Sequence, residues 1–247
     1  MWNIKTLITG HHYVSKNFFL PEYPESEMFW VPIISLAIWN DDTKILVDTS
    51  HNSAKWICEN LCPATTTEEE ELVPMLSREL GWEPDDIDYI INTHLHIDHC
   101  GQNYRFPNAK FIVSRKEWEA AHNPVPWQEA LYHEPMFDEK AVSPSQWTFT
   151  EGDVDFMDGI RLIETPGHSA GHISVLINTR EGVVCMAGDA CVTLRNINEN
   201  IEPNAKFDGK QLLASYQRMR DNAERVIPGH EQGIRQYQTD GFPLIKK

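Results

Sequence analysis

The sequence predicts a mixed α/β domain, and three observations carry that expectation. Short apolar runs rich in Val and Ile recur at 33–38, 45–47, 89–91, 111–113, 160–163, 175–177, 183–186 and 226–227, and these read as strands. Helix signals stand between several of them, so the pattern is not all-β. The chain has 247 residues with 41% hydrophobic side chains and eight Trp. That is enough to fill a sizeable core, and one domain over 1–247 is the default.

The first helix signal lies at 74–80, with Pro74 in a first turn, where its missing amide hydrogen costs nothing, and Gly81 as the stop. The preceding Glu68 to Glu71 run reads as a solvated segment, because adjacent carboxylates do not converge on one ion. Ser114 followed by Glu117 has the form of a capping box. The hydroxyl would accept from the Glu117 amide and the carboxylate would reach back to the Ser114 amide, starting a helix at Arg115 that runs to about His122. Asp208 can cap a third helix, whose apolar stripe is Leu212, Tyr216, Met219 and Ala223 and which should pack on a sheet. The compositional break at 123–146 holds Pro124, Pro126, Pro135 and Pro144 with Trp127, Tyr132 and Phe137. Prolines that dense prevent a regular core element, so this stretch is either a flap or an insertion packed on the body.

Charge and cysteine content narrow the function. With 21 basic and 37 acidic side chains the formal charge is -16, which repels polyanions. A small-molecule substrate is expected, and no nucleic acid. No stretch approaches the roughly 20 apolar residues of a membrane span, and the best run, 31–39, contains Pro32. The opening MWNIKTLITGHH lacks the charged, apolar and small-residue parts of an export leader. Five cysteines (Cys58, Cys62, Cys100, Cys185, Cys191) without framework spacing read as reduced thiols of a cytoplasmic protein.

The chemistry concentrates in HLHIDH at 94–99, directly after an apolar run. Three imidazoles and a carboxylate at a strand end suit a divalent ion, zinc first, with iron or manganese as alternatives. Similar pieces follow other apolar runs: ETPGHSAGH (164–172), MAGDA (186–190) and IPGHE (227–231). Glycine before His168, Asp189 and His230 permits tight turns beside an ion. Five histidines and two carboxylates exceed what one tetrahedral ion takes, so two metal ions sharing one carboxylate is the economical expectation.

The ordered set HLHIDH, TPGHSAGH, GDA and PGHE resembles the metallo-β-lactamase superfamily. GWEPDDIDYIINTHLHIDHCGQN (81–103), FIVSRKEWEAA (111–121) and KILVDTS (44–50) are similar to its N-acyl homoserine lactonase branch. The resemblance implies an αβ/βα four-layer sandwich with the metals in a groove at the sheet edges. It implies that His94, His96 and His168 hold one ion, that Asp98, His99 and His230 hold the other, and that Asp189 bridges them. Asp48 matches an aspartate that orients a ligand histidine through its other ring hydrogen, and His172 is part of the motif as a structural residue.

The activity implied is hydrolytic opening of a lactone ring, of N-acyl homoserine lactone or a related small lactone, by a hydroxide held between the ions. Asp98 would pass the proton to the leaving alkoxide. Three positions depart from the branch: Val192 stands where it carries Tyr, Ile97 where it carries Phe, and Ser50 where it carries Gly. Ile97, Val192, Phe29 and Trp30 are the candidate substrate-pocket residues, and Trp127, Tyr132, Phe137 and Trp147 could add to an apolar wall. Alternatives are hydrolysis of a cyclic amide, thioester or phosphoester on the same fold, or a di-iron redox or metal-binding protein. His11, His12, His51, His122 and His133 carry no assignable role and read as surface or packing residues. The sequence leaves the oligomeric state open.

Overall fold

The computed structural model describes residues 1–236 and 239–245. Its first sheet contains β1 (Asn3–Ser15), β2 (Met28–Trp39), β3 (Lys44–Val47), β4 (Ala64–Thr65), β5 (Tyr89–Ile91), β6 (Lys110–Ser114) and β7 (Trp147–Thr150), in the order β4-β1-β2-β3-β5-β6-β7. The second contains β8 (Val154–Met157), β9 (Ile160–Glu164), β10 (Ile173–Thr179), β11 (Gly182–Gly188) and β12 (Arg225–Pro228), in the order β12-β11-β10-β9-β8. Helices α1 (Ala54–Asn60), α2 (Leu72–Leu80), α3 (Arg115–His122), α4 (Leu194–Glu199) and α5 (Gly209–Asn222) complete the elements used below.

Side-chain alternation builds the layers. In β2 and β3, Ile34, Leu36, Ile38, Ile45 and Val47 point to one face, where they meet Val175 and Ile177 of β10, Val184 and Met186 of β11 and Ile227 of β12. The intervening Ala37 and Leu46 point the other way, onto Leu72, Met75 and Leu76 of α2. Leu176, Cys185 and Val226 likewise face Leu212, Tyr216 and Met219 of α5. A period of two with both faces buried yields near-continuous apolar runs, which is why these strands were legible in the sequence. The outcome is helix on sheet on sheet on helix, the expected four-layer arrangement.

β1 has no such run. Lys5, Thr6, Thr9, His11 and His12 dilute its apolar residues, yet it pairs along β2 from Asn3 opposite Trp39 to Ser15 opposite Met28. α2 begins at Leu72, two residues before the expected start at Pro74, and stops at Gly81 as expected. Glu70 departs from the solvated reading of its run: it is buried and accepts from Arg235 Nη2 at 2.7 Å and from the Thr67 amide at 3.2 Å. Its neighbours Glu68, Glu69 and Glu71 are exposed. The 123–146 stretch packs on the body through short 3-10 turns, with Met136 and Phe137 buried beside Val113 and Ala121.

At the start of α5, the Asp208 carboxylate accepts from the Gln211 amide at 2.9 Å, satisfying one otherwise unpaired helix amide. Asp208→Ala is expected to lower unfolding free energy by about 1 kcal/mol, read from urea denaturation. An unchanged midpoint contradicts the cap.

Candidate metal centre

The carboxyl ends of the parallel pairs β3/β5 and β11/β12 open toward one edge of the sandwich. The turn after β3 supplies Asp48, the loop after β5 supplies residues 94–99, and Asp189 and His230 follow β11 and β12. The β9–β10 connection brings His168. Asp48 and Ser50 both adopt left-handed backbone, at φ 60° and 66°. Such conformations cost non-glycine residues free energy and cluster at functional sites. At Ser50 such a conformation would suit glycine, which needs no Cβ to be accommodated.

All seven motif side chains converge. His96 Nδ1 lies 3.1 Å from both His94 Nε2 and His168 Nε2. Asp189 Oδ1 lies 3.4 Å from His99 Nε2, while its Oδ2 lies 3.4 Å from His168 Nε2 and 3.2 Å from His230 Nε2. Asp98 Oδ2 stands 3.8 Å from His99 Nε2 and 3.7 Å from His230 Nε2. Three groups of candidate ligand atoms result: His94, His96 and His168; His94, His99 and Asp189; and Asp98, His99 and His230.

The donor set fits a cation on two independent grounds. His99 Nε2 and Asp189 Oδ1 face one another, fully buried, and neither has a hydrogen-bond partner among the described residues. Buried polar atoms of this kind are costly unless an ion or water completes them. The opposite ring nitrogens are also committed: His99 Nδ1 to Asp48 Oδ2 at 2.8 Å, His230 Nδ1 to the Pro32 carbonyl at 2.8 Å and His168 Nδ1 to the Ala205 carbonyl at 3.2 Å. A hydrogen donated from Nδ1 leaves the Nε2 lone pair aimed at the shared volume, which is what a metal ligand requires.

The electrostatics agree. Burial works against charge on Asp98 and Asp189, but the surrounding imidazoles outweigh it, holding Asp98 down at about 2 and Asp189 well below the usual carboxylate range. Burial pushes His94, His96 and His168 below the ordinary histidine value, keeping those rings neutral. His99 and His230 go the other way: burial opposes their charge, and Asp189 with Asp98 overrides it. The two carboxylates thus create a negative field that draws protons onto His99 and His230, and a bound cation would answer the same field while freeing their Nε2 lone pairs.

Two buried carboxyl struts hold the loops. Asp48 accepts from the Thr93 amide, the Thr93 hydroxyl and His99 Nδ1, each at 2.8 Å. Glu117 is the second, and it corrects the capping-box expectation. Ser114 Oγ does accept from the Glu117 amide at 3.0 Å, but the Glu117 carboxylate turns inward rather than back to Ser114. Its Oε1 accepts from the Leu95 amide at 3.1 Å and Tyr132 Oη at 2.9 Å, and its Oε2 from Ser169 Oγ at 2.6 Å and the Gly171 amide at 3.2 Å. One carboxylate thus ties the His94–His96 loop to the His168 loop. Nothing local in the sequence signals this, since the partners lie 15 to 54 positions away. His172 is buried outside the cluster, bonded to Thr165 Oγ1 and the Ala190 amide, consistent with a structural role.

The model of the metallo-beta-lactamase superfamily matches residues 29–230. The chain belongs to that superfamily. It is 34% identical to an N-acyl homoserine lactonase of Bacillus cereus over 218 residues, 81% of this chain and 83% of that protein. Identity is also 34% to the N-acyl homoserine lactonase AttM of Azorhizobium caulinodans, covering 68% of this chain and 64% of that one. Among solved structures, an N-acyl homoserine lactone hydrolase with N-hexanoyl-L-homoserine bound at its catalytic metal center superposes with a TM-score of 0.79 at 28% identity, covering 95% of each chain. The relatives of this superfamily member are therefore hydrolases, and it carries the His/Asp groups of a metal centre.

Beside the centre lies a cavity of about 290 Å³ walled by Val14, Phe18, Phe19, Val31, Leu61, Leu131 and Ala205, with His12, Cys62, His96, Asp98, His168, Asp189 and His230. None of the four expected pocket residues lines it. Ile97 and Val192 are fully buried in apolar clusters, Phe29 packs behind Phe19, and Trp30 is 41% exposed elsewhere. Phe19 takes the wall position instead, stacked on His230 at 5.5 Å between ring centroids. The 123–146 stretch reaches the site as well: Leu131 lines the cavity and its carbonyl accepts from the Ile97 amide at 2.9 Å, while Gln128 Nε2 donates to the His168 carbonyl at 2.9 Å. His12, without a role in the sequence, stands in the cavity with Nδ1 3.9 Å from Asp98 Oδ2, and burial pushes its imidazole down to about 3.

Glu117→Gln replaces one acceptor oxygen by a donor among four inward-pointing donors. It is expected to lower stability by about 2 kcal/mol, measured by urea denaturation. A variant as stable as wild type contradicts the strut.

Proposed function

We propose that this chain is a dinuclear metal-dependent lactonase that opens N-acyl homoserine lactones or closely related small lactones. The observation that carries the reading is the buried convergence of five imidazoles and two ionised carboxylates beside an apolar cavity. Kinship with N-acyl homoserine lactonases supports the substrate class.

His94, His96 and His168 would hold one ion, Asp98, His99 and His230 the other, and Asp189 would lie between, with zinc the metal best suited to imidazole and carboxylate ligands. When bound, such ions supply Lewis acidity toward a carbonyl oxygen and acidify water enough to attack near neutral pH. The chain does the rest. Asp48, Pro32 and Ala205 fix the rings of His99, His230 and His168 through their Nδ1 hydrogens. The Asp98 carboxylate takes up a proton at Oδ2 and gives it to the leaving oxygen as the ring opens. Val14, Phe18, Phe19, Val31 and Leu61 shield the site from water and offer apolar contact to an acyl chain. With Val192 buried, no phenol at that position contacts substrate. The five unpaired cysteines fit work in the reducing cytoplasm. Such an enzyme would quench quorum signals built on homoserine lactones.

The test is ring opening, followed by proton release, over N-acyl homoserine lactones of several chain lengths, simple lactones, thioesters and a phosphodiester. Metal-dependent turnover of lactones above all others is expected. Turnover confined to another class by the metal-loaded chain contradicts the reading. Asp98→Asn is expected to lower kcat by at least about a hundredfold while the protein still binds metal, as measured by elemental analysis.

A further inference from the structure

A chain of polar contacts runs into the cavity from the far side of β1. Thr66 Oγ1 lies 2.7 Å from His51 Nε2, His51 Nδ1 lies 3.1 Å from His12 Nε2, and the two ring planes lie within 5° of parallel. All of this is held by packing. His12 pairs with Ala64 of β4, Gln102 Nε2 grips the His51 carbonyl at 2.9 Å, and both histidines are buried. Gly10, at φ 141°, makes room, since a Cβ there would stand 2.7 Å from His51 Cε1 and 2.8 Å from Thr66 Oγ1.

Each contact needs one donor, and two arrangements satisfy both. In one, His12 Nε2–H donates to His51 and His51 Nε2–H donates to Thr66, which leaves the bare Nδ1 lone pair of His12 facing the Asp98 carboxylate. In the other, the Thr66 hydroxyl donates to His51 Nε2 and His51 Nδ1–H donates to His12 Nε2, so His12 presents Nδ1–H to the cavity. The second puts a hydrogen rather than a lone pair 3.9 Å from an anionic oxygen, and electrostatics selects it. Outside the seven-residue cluster, the other lining side chains are apolar except the Cys62 thiol, which burial pushes up to about 11.

We propose that His12 is a substrate-contacting residue whose Nδ1–H donates a hydrogen bond to the oxygen served by Asp98, the leaving oxygen of a carboxylic ester ring. Atoms 3.9 Å apart can share a third atom at about 2.8 Å from each, so one oxygen reaches both Asp98 and His12. The inference rests on the hydrolase reading above. Water adds across the ester: its hydroxyl bonds to the carbonyl carbon while its proton passes to the Asp98 carboxylate, the carbon–oxygen bond breaks with its electron pair on the ring oxygen, and Asp98 gives that proton to the ring oxygen. His12 keeps its own hydrogen throughout, and His51 and Thr66 act as positioning residues.

The experiment combines kinetics with the ring tautomer. On a γ-lactone, His12→Leu is expected to lose about tenfold in kcat/KM, the size of one neutral hydrogen bond, with metal content unchanged. His12→Asn, whose amide can donate from near the Nδ1 position, is expected to stay within about threefold of wild type, and the His12→Leu loss should shrink to about threefold on the matching thiolactone, since sulfur is a weak acceptor. Nitrogen NMR of the wild-type imidazoles should show His12 carrying its hydrogen on Nδ1, and this carries the test if His12→Leu does not fold. A hydrogen on Nε2, or His12→Leu with wild-type kcat/KM and full metal content, overturns the proposal alone. Failure of the metal-loaded wild type to open any lactone overturns the lactonase reading and the role of His12 with it.

Discussion

Two ionised carboxylates, Asp98 and Asp189, lie buried among imidazoles with His99 Nε2 and Asp189 Oδ1 left without partners. Negative charge withdrawn from water must be matched by positive charge close by, and the remaining features of the site follow from that requirement. The sandwich places strand ends from both sheets along one edge, so ligands distant in sequence meet at short range. The flanking Nδ1 bonds of His99, His230 and His168 then decide which face of each ring is free to bind.

Loops carry the ligands, and loops are held only by what they touch. Asp48 locks the start of the HLHIDH segment to the turn after β3, and Glu117 locks the same segment to the loop of His168. Both struts are carboxylates satisfied by several donors at once, a stiffer tether than single neutral bonds. Residues 123–146 add a third restraint through Gln128, Leu131 and Tyr132. In the structure this segment lies on the body, and its Leu131 helps to wall the cavity.

What the sequence revealed and what it hid have physical causes. The seven candidate ligands were legible because each sits in a short motif at a strand end, where residue type and spacing carry the chemistry directly. Most strands were legible because burial on both faces makes them continuous in Val and Ile, whereas β1, pairing with β2 through a register shift between Ile8 and His11, spreads its apolar residues among Thr, Lys and His. Glu117 matched a local capping pattern, but its carboxylate answers to donors from three distant segments. The four residues expected at the pocket lie off this cavity for a related reason. Ile97 and Val192 neighbour ligands in sequence, yet both are buried away from the cavity, Val192 in the same cluster as Phe19 and Val31, which form the wall. His12 and His51 meet only because β1, β4 and the turn after β3 come together, a juxtaposition no local spacing encodes.

The central claim is that these seven side chains form one centre for two divalent ions. It is tested most directly by counting the ions bound per chain, by calorimetric titration of the metal-stripped protein with zinc followed by elemental analysis after dialysis. The account predicts two ions per chain at saturation, falling to fewer when Asp189 is replaced by Ala. Saturation at one ion, or retention of none, contradicts it.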